Sequence, residues 1–265
     1  MKSGKFWKML IAGTMNAGMA AIAASTLAAS AYAQDLPFKP GEKITYDLVG
    51  QIKEWRMKGT LGNMEVALVG NEIFKGKRVL HASATVSSSL LLKTRYELKD
   101  VFHTWFDPRT FQTHRVEKII QEGTYTNHVI YEIDPQTGAV TEHNRNVQKV
   151  RHYTRPDKAY DFVSFLYWLR TARKDQTFTF ALFDGEWKNQ FTVSLTAGED
   201  ISVPLLDKKN KLKTVVIQQS KPYNLTFKFA KDFSYIPIEM SVVNVQAGNV
   251  HVTARSILSG YKPGK

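Results

Sequence analysis

The chain has 265 residues, no cysteine, and 36 Lys and Arg against 24 Asp and Glu, a formal net charge of +12. Without cysteine there is no disulfide framework, cysteine nucleophile or thiolate metal site, so stability must come from a packed core. A positive excess of this size either draws the chain to anionic surfaces or serves solubility alone.

Lys2, Lys5 and Lys8 open the chain, and no charge follows until Asp35. The run between them is rich in Ala, Met and Leu and closes on Ala31-Tyr32-Ala33, a small-x-small cleavage site. This is the layout of a secretory signal peptide, predicting cleavage before Gln34 and a periplasmic, soluble mature protein. Residues 34–265 show no linker composition and no internal repeat, so one β-rich domain is expected.

Most of that domain alternates apolar and polar residues, as in Ile44–Val49, Val79–Val86, Tyr125–Tyr131, Phe178–Leu182, Phe191–Leu195 and Leu225–Phe229. Turn chemistry separates the runs at Asp107-Pro108, Asp134–Gly138, Asp184-Gly185, Lys209-Asn210 and Ala247–Asn249. The pattern predicts about a dozen antiparallel strands. The basic strip expected in the middle is Arg145, Lys149, Arg151 and Arg155, all at odd positions of one run. Strand periodicity would put them on one face, ready to contact phosphate or carboxylate, with a solvated face as the alternative.

From Asp161 to Lys174 the period changes. Phe162, Phe165, Leu166 and Leu169 fall at helical spacing, Asp161 stands at the N-cap, and Arg170, Arg173 and Lys174 suit the C-terminal end. Val163, Tyr167 and Trp168 carry the apolar surface around most of the circumference, so this helix must be buried on nearly all sides. The expectation is a mainly β fold: a single curved antiparallel sheet, an open barrel or β-spiral, wrapped around one helix at 161–174. Phe162, Phe165, Tyr167 and Trp168 would then either fill the core or line a ligand cavity. Asp161, Ser164, Tyr167 and Arg170 would tie the helix to its surroundings through buried hydrogen bonds.

Three stretches in order resemble one family. Phe38–Tyr46 is similar to its F-x-P-G-E-x-(hydrophobic)-x-Y opening, Asp161–Arg170 to its D-x-x-S-x-x-Y-x-x-R helix, and Lys231–Ile238 to its closing D-x-x-x-I-P segment. The family is DUF3108, exported proteins of Gram-negative bacteria with no established activity. The resemblance implies a layout like that of periplasmic lipoprotein carriers and carries over no catalytic residue. The sequence departs from the family pattern at Val49–Trp55, which is longer and more charged, and this leaves the local strand register open.

No G-x-S-x-G elbow, H-E-x-x-H pair, P-loop or dinucleotide fingerprint occurs. No catalytic residue, metal site, cofactor or nucleic-acid partner is expected. The seven histidines are scattered, and His81, His103 and His128 read as sheet-face residues. The function expected is non-catalytic: binding or chaperoning of a hydrophobic or amphipathic anionic envelope component, a lipid or glycolipid. The alternatives are a protein-interaction module for envelope integrity and a wall- or glycan-directed hydrolase.

Overall fold

The computed structural model describes residues 36–155, 159–171, 177–183, 190–219, 225–247 and 250–265. The leader, Pro156, residues 172–174 and the turns at Asp184-Gly185 and Gly248-Asn249 lie outside the described residues.

The first half is a continuous meander: β1 (Lys43–Ile52), β2 (Met57–Phe74), β3 (Lys77–Ser88), β4 (Lys99–Phe106), β5 (Thr113–Glu122), β6 (Tyr125–Ile133), β7 (Ala139–Asn144) and β8 (Lys149–Thr154). A four-residue helix, α1 (Leu90–Lys93), sits between β3 and β4. Then come β9 (Ala159–Asp161) and α2 (Phe162–Leu169). The second half contains β10 (Thr177–Phe183), β11 (Gln190–Ala197), β14 (Thr214–Gln219), β15 (Leu225–Ala230), β16 (Ile236–Ala247) and β17 (Val250–Lys262). A two-residue ribbon of β12 (Ile201–Ser202) and β13 (Lys211–Leu212) is inserted in it.

Among the described residues, fifteen strands form one sheet in the order β8-β7-β6-β5-β4-β3-β2-β1-β17-β16-β15-β14-β11-β10-β9. All pairings are antiparallel except the short β9–β10 contact. The sheet is not closed into a barrel, because β8 and β9 stand at its two ends although they are neighbours in sequence. Curvature comes from bulges, which shift the register at Thr45/Tyr46 and Leu48/Val49 in β1 and at Leu68/Gly70 in β2. Two glycines permit the close approach: a Cβ on Gly50 would lie 2.4 Å from the Thr253 carbonyl oxygen, and one on Gly62 2.2 Å from that of Ser87.

The curled sheet covers α2. Val163, Phe165, Leu166, Tyr167 and Leu169 are buried with Tyr46, Met64, Val66, Ala82, Phe106, Phe229 and Ile236 in one core. The helix is shorter than its sequence pattern predicts. It ends at Leu169, and a tight last turn follows, with Thr171 N–H donating to the Trp168 carbonyl. Arg170 stands at the C-cap, and its side chain runs inward to Glu42.

Asp161 fixes the other end. Its Oδ1 accepts from the backbone N–H of Val163 (2.9 Å) and Ser164 (3.2 Å), the expected cap. Its Oδ2 accepts from Thr104 Oγ1 of β4 (2.6 Å) and Thr113 Oγ1 of β5 (2.8 Å). The β9 end of the sheet is thus bound back to its middle by side chains instead of a backbone ladder, which makes the architecture a spiral. Asp161→Ala removes the cap and orphans two buried hydroxyls, so urea unfolding should show a loss of roughly 3–5 kcal/mol. Asp161→Asn should lose distinctly less.

Candidate functional site

The three family-like segments meet around Arg170, which is 1 % exposed. Its guanidinium forms a two-pronged pair with Glu42, one prong being Nη2 to Oε2 at 3.0 Å and the other Nη1 to Oε1. Nε donates to the Ser234 carbonyl (3.2 Å) and Nη2 to that of Pro37 (3.3 Å). The guanidinium also lies over the rings of Phe38 and Tyr167, 5.0 and 5.7 Å from their centroids. Gly41, at φ +85°, makes the turn that delivers Glu42. Ser234 and Tyr235, both at positive φ, shape the loop that offers the Ser234 carbonyl. Tyr46 completes the link, its hydroxyl donating to the Pro237 carbonyl at 2.9 Å, and burial pushes that phenol well above its ordinary pKa. This centre is sealed from solvent and serves as a clasp.

The four aromatic side chains expected to fill the core or line a cavity divide as follows. Tyr167 is wedged between Phe38 (ring centroids 4.8 Å apart) and Phe106 (5.8 Å), and Phe165 packs on Phe227 and Trp168. Both are core residues. Trp168 stacks on Tyr160 at 5.2 Å and, like Phe162, stays half-buried at the core's margin. Ser164 is fully buried, its Oγ donating to the Asp161 carbonyl at 3.2 Å and lying 3.2 Å from Thr113 Oγ1. No substrate reaches that hydroxyl.

The basic strip requires correction. Arg145 lies in the β7–β8 turn, because Asn144 Oδ1 accepts from the N–H groups of Asn146 and Val147 and bends the chain there. Lys149 and Arg151 do share a strand face, but Arg151 is paired with Glu142, which is buried. Arg155 follows the strand, turns inward and donates to Gln112 Oε1 at 3.1 Å. The four side chains therefore do not form one anion-binding row.

Two clusters escaped the sequence reading. On the outer face of β2–β4, His81 Nδ1 lies 2.7 Å from Glu72 Oε1, and its Nε2 lies 3.0 Å from His103 Nδ1. Trp105 stacks on His81 (4.4 Å, 11°) and donates from Nε1 to Glu72 Oε2 at 2.7 Å. Burial, reinforced by His81, lowers the His103 pKa and favours its neutral imidazole. Burial opposes ionisation of Glu72, but the bonds from Trp105 and His81 outweigh it and hold the carboxyl low. Alternation does place these residues outward; only the β3–β4 register, which sets His81 opposite Trp105, brings them together.

The second cluster is one end of the sheet. The β1–β2 turn (residues 53–56) and α1 pack on a small separate core of Ile52, Met57, Leu61, Leu92, Val252 and Ala254. Leu92 points into it, whereas Leu90 is 85 % and Leu91 48 % exposed. Trp55 sits half-buried beside Tyr96, 6.2 Å away. The same two segments carry Lys53, Arg56, Lys58, Lys93 and Arg95, all exposed. The two carboxylates in the same segments are engaged, Glu54 by His251 and Glu97 by Lys93. At the opposite end of β2, a cavity of about 300 Å³ opens between residues 74–77 and 132–139. One of its lysines, Lys75, is already paired with Glu132.

A family model described as "Protein of unknown function (DUF3108)" matches residues 43–254. The chain belongs to the DUF3108 family. No curated protein matches it. Among solved structures it is similar to a β-barrel-like protein of domain of unknown function DUF1849 from Brucella abortus. That pair has a TM-score of 0.51 and 12% sequence identity, over 85% of this chain and 98% of the other. At that identity the likeness shows the fold alone.

Beneath the loop that carries α1, this DUF3108 chain buries two acids. Asp100 is fully enclosed and accepts from the Gln121 N–H at 2.8 Å; burial, with Glu122 nearby, pushes its carboxyl up to about 7. Glu122 accepts from the Tyr96 hydroxyl at 3.1 Å. A carboxyl raised from 3.8 to about 7 binds more protons folded than unfolded, so its contribution falls as pH rises from about 4 to about 7. Asp100→Asn should flatten that part of the stability curve, removing a slope of up to about 1.4 kcal/mol per pH unit, as followed by urea unfolding. For the clasp, Glu42→Gln or Arg170→Met alone should cost about 3–5 kcal/mol, and combining the two should recover much of the loss. A double-mutant cycle in urea reads both outcomes.

Proposed function

We propose that this chain is a non-catalytic cell-envelope protein, exported by its leader to the periplasm, that binds anionic lipid at a membrane surface. The observation that carries this reading is the α1 end. Two leucines stand in solvent on α1, whose Leu92 shares a small core with half-buried Trp55, and the same segments carry exposed Lys53, Arg56, Lys58 and Arg95 besides Lys93, which is paired with Glu97. Isolated exposed leucines are ordinary, but contiguous apolar side chains rimmed by cations mark a surface that is covered in use. Interfacial segments combine these same elements: aliphatic side chains for the acyl boundary, tryptophan for the headgroup layer, and Lys and Arg for the phosphates. Each cation near an anionic leaflet contributes roughly 1 kcal/mol, and each leucine fully buried roughly 1.5–3 kcal/mol. Neither set suffices alone for firm attachment, so the two act together.

The filled core around α2 and the inaccessible Ser164 support a binding role over a hydrolytic one. They also favour contact at the surface over carriage of an acyl chain inside. One observation favours the protein-interaction alternative: β8 is an edge strand whose Val150, with the preceding Val147, is exposed.

Flotation of the mature protein with phosphatidylglycerol-containing and with pure phosphatidylcholine vesicles tests the proposal. Binding should require the anionic lipid, weaken with salt and shift the tryptophan emission to the blue. Leu90→Ser with Leu91→Ser should weaken it at least about ten-fold, from the lost apolar transfer, without altering the fold. Equal partitioning onto both vesicles, or none onto either, would overturn it.

A further inference from the structure

The outer-face cluster has no part in the lipid reading, and its geometry is that of an incomplete metal chelate. Glu72 engages Nδ1 of His81, which leaves Nε2 as the nitrogen directed at His103 Nδ1, 3.0 Å away. Two metal–nitrogen bonds of about 2.0–2.1 Å at a tetrahedral angle hold their nitrogens about 3.3 Å apart. A few tenths of an ångström therefore separate the present contact from a two-imidazole bite. Behind His81 stands the carboxylate that metal-ligating histidines usually have, and it is itself held by the Trp105 Nε1–H. Trp105 stacked on His81 restrains the ring.

We propose that His81 and His103 chelate one divalent transition-metal ion of the zinc or copper class, with Glu72 as the carboxylate that orients His81. Imidazole pairs select such borderline ions over magnesium or calcium. Among the described residues no group of three or more His, Cys, Asp or Glu could hold an ion, so water completes the coordination. His103 binds through Nδ1 and carries its proton on Nε2. Glu117, opposite His103 in the β4–β5 register, is held by His128 and Arg115 and stays outside.

The probe is Cu²⁺ added to the mature, metal-free protein in a non-coordinating buffer, followed by calorimetry and tryptophan fluorescence. Calorimetry should give one ion per chain, and quenching should saturate at the same ratio because Trp105 touches a ligand ring. His81→Ala and His103→Phe, the second keeping a ring in place, should each weaken binding at least about ten-fold. Glu72→Gln should weaken it to a lesser degree, and Trp105→Phe, which frees Glu72 but keeps both imidazoles, should lose the quenching while still giving a one-to-one isotherm, weakened no more than in Glu72→Gln. Unfolding of the metal-free variants checks that each still folds. Unchanged affinity in His103→Phe, or absence of one-to-one binding in the parent chain, would show the histidine contact to be only a structural hydrogen bond. Vesicle flotation should be the same with and without Cu²⁺, so this proposal stands or falls apart from the lipid reading.

Discussion

A buried ion pair between residues 128 positions apart holds this fold in one arrangement. Arg170 and Glu42 are both sealed in an apolar interior, where an unpaired charge costs several kcal/mol. Such a pair adds little net stability over an apolar substitute, but it penalises any packing that separates its members. Here the members belong to the first strand's approach and to the only long helix among the described residues. The guanidinium also takes carbonyls from Pro37 and Ser234. An open fifteen-stranded sheet has many near-equivalent ways to curl, since backbone pairing alone sets no radius. The clasp supplies what the ladder lacks: a fixed distance between β1, the 231–235 loop and the end of α2.

The opposite end of the helix works by the same principle with different groups. Asp161 spends one oxygen on the cap and the other on two threonines of β4 and β5. A single carboxylate thereby starts the helix and stops the spiral from unwinding. Spacing reveals why the family-like D-x-x-S-x-x-Y-x-x-R pattern is a folding device. Its four polar members spiral around the helix: Asp161 and Ser164 bond to β4 and β5, and Arg170 to the approach to β1 and the 231–235 loop. The fourth, Tyr167, contributes its ring: the hydroxyl is buried without a hydrogen-bond partner, so packing against Phe38 and Phe106 is what holds it there.

Local pattern made much of this legible and long-range register made the rest illegible. The apolar stripe at 162, 165, 166 and 169 gives the helix, its burial and its N-cap, because those features depend on neighbours in sequence. Its early end at Leu169 does not follow from the stripe, and Arg170, expected to face the C-terminal end of the helix, is instead paired with Glu42. The strands follow from alternation, yet the same alternation ran through Arg145, where the Asn144 and Asn146 side chains make the turn. Two asparagines flanking an arginine were a readable turn signal that the odd-numbered charges masked. The uncertain register after Tyr46 coincides with a bulge at Leu48/Val49, and the charged departure at Val49–Trp55 leads into the turn that presents Trp55. The His81–His103 contact was beyond any local reading, because it exists only once β3 and β4 are aligned.

A sealed centre moves the question of function to the surface. Residues with the strongest family resemblance are consumed by the clasp and the cap, so what they specify is shape. The features that chemistry can use lie on the periphery: the leucine-bearing end, the histidine pair and the β8 edge. They also differ in how the fold supports them. Leu90 and Leu91 sit on a four-residue helix anchored by Leu92 in a small core apart from the one around α2. The histidine pair is instead mounted on two central strands in direct register, where neither backbone can shift independently.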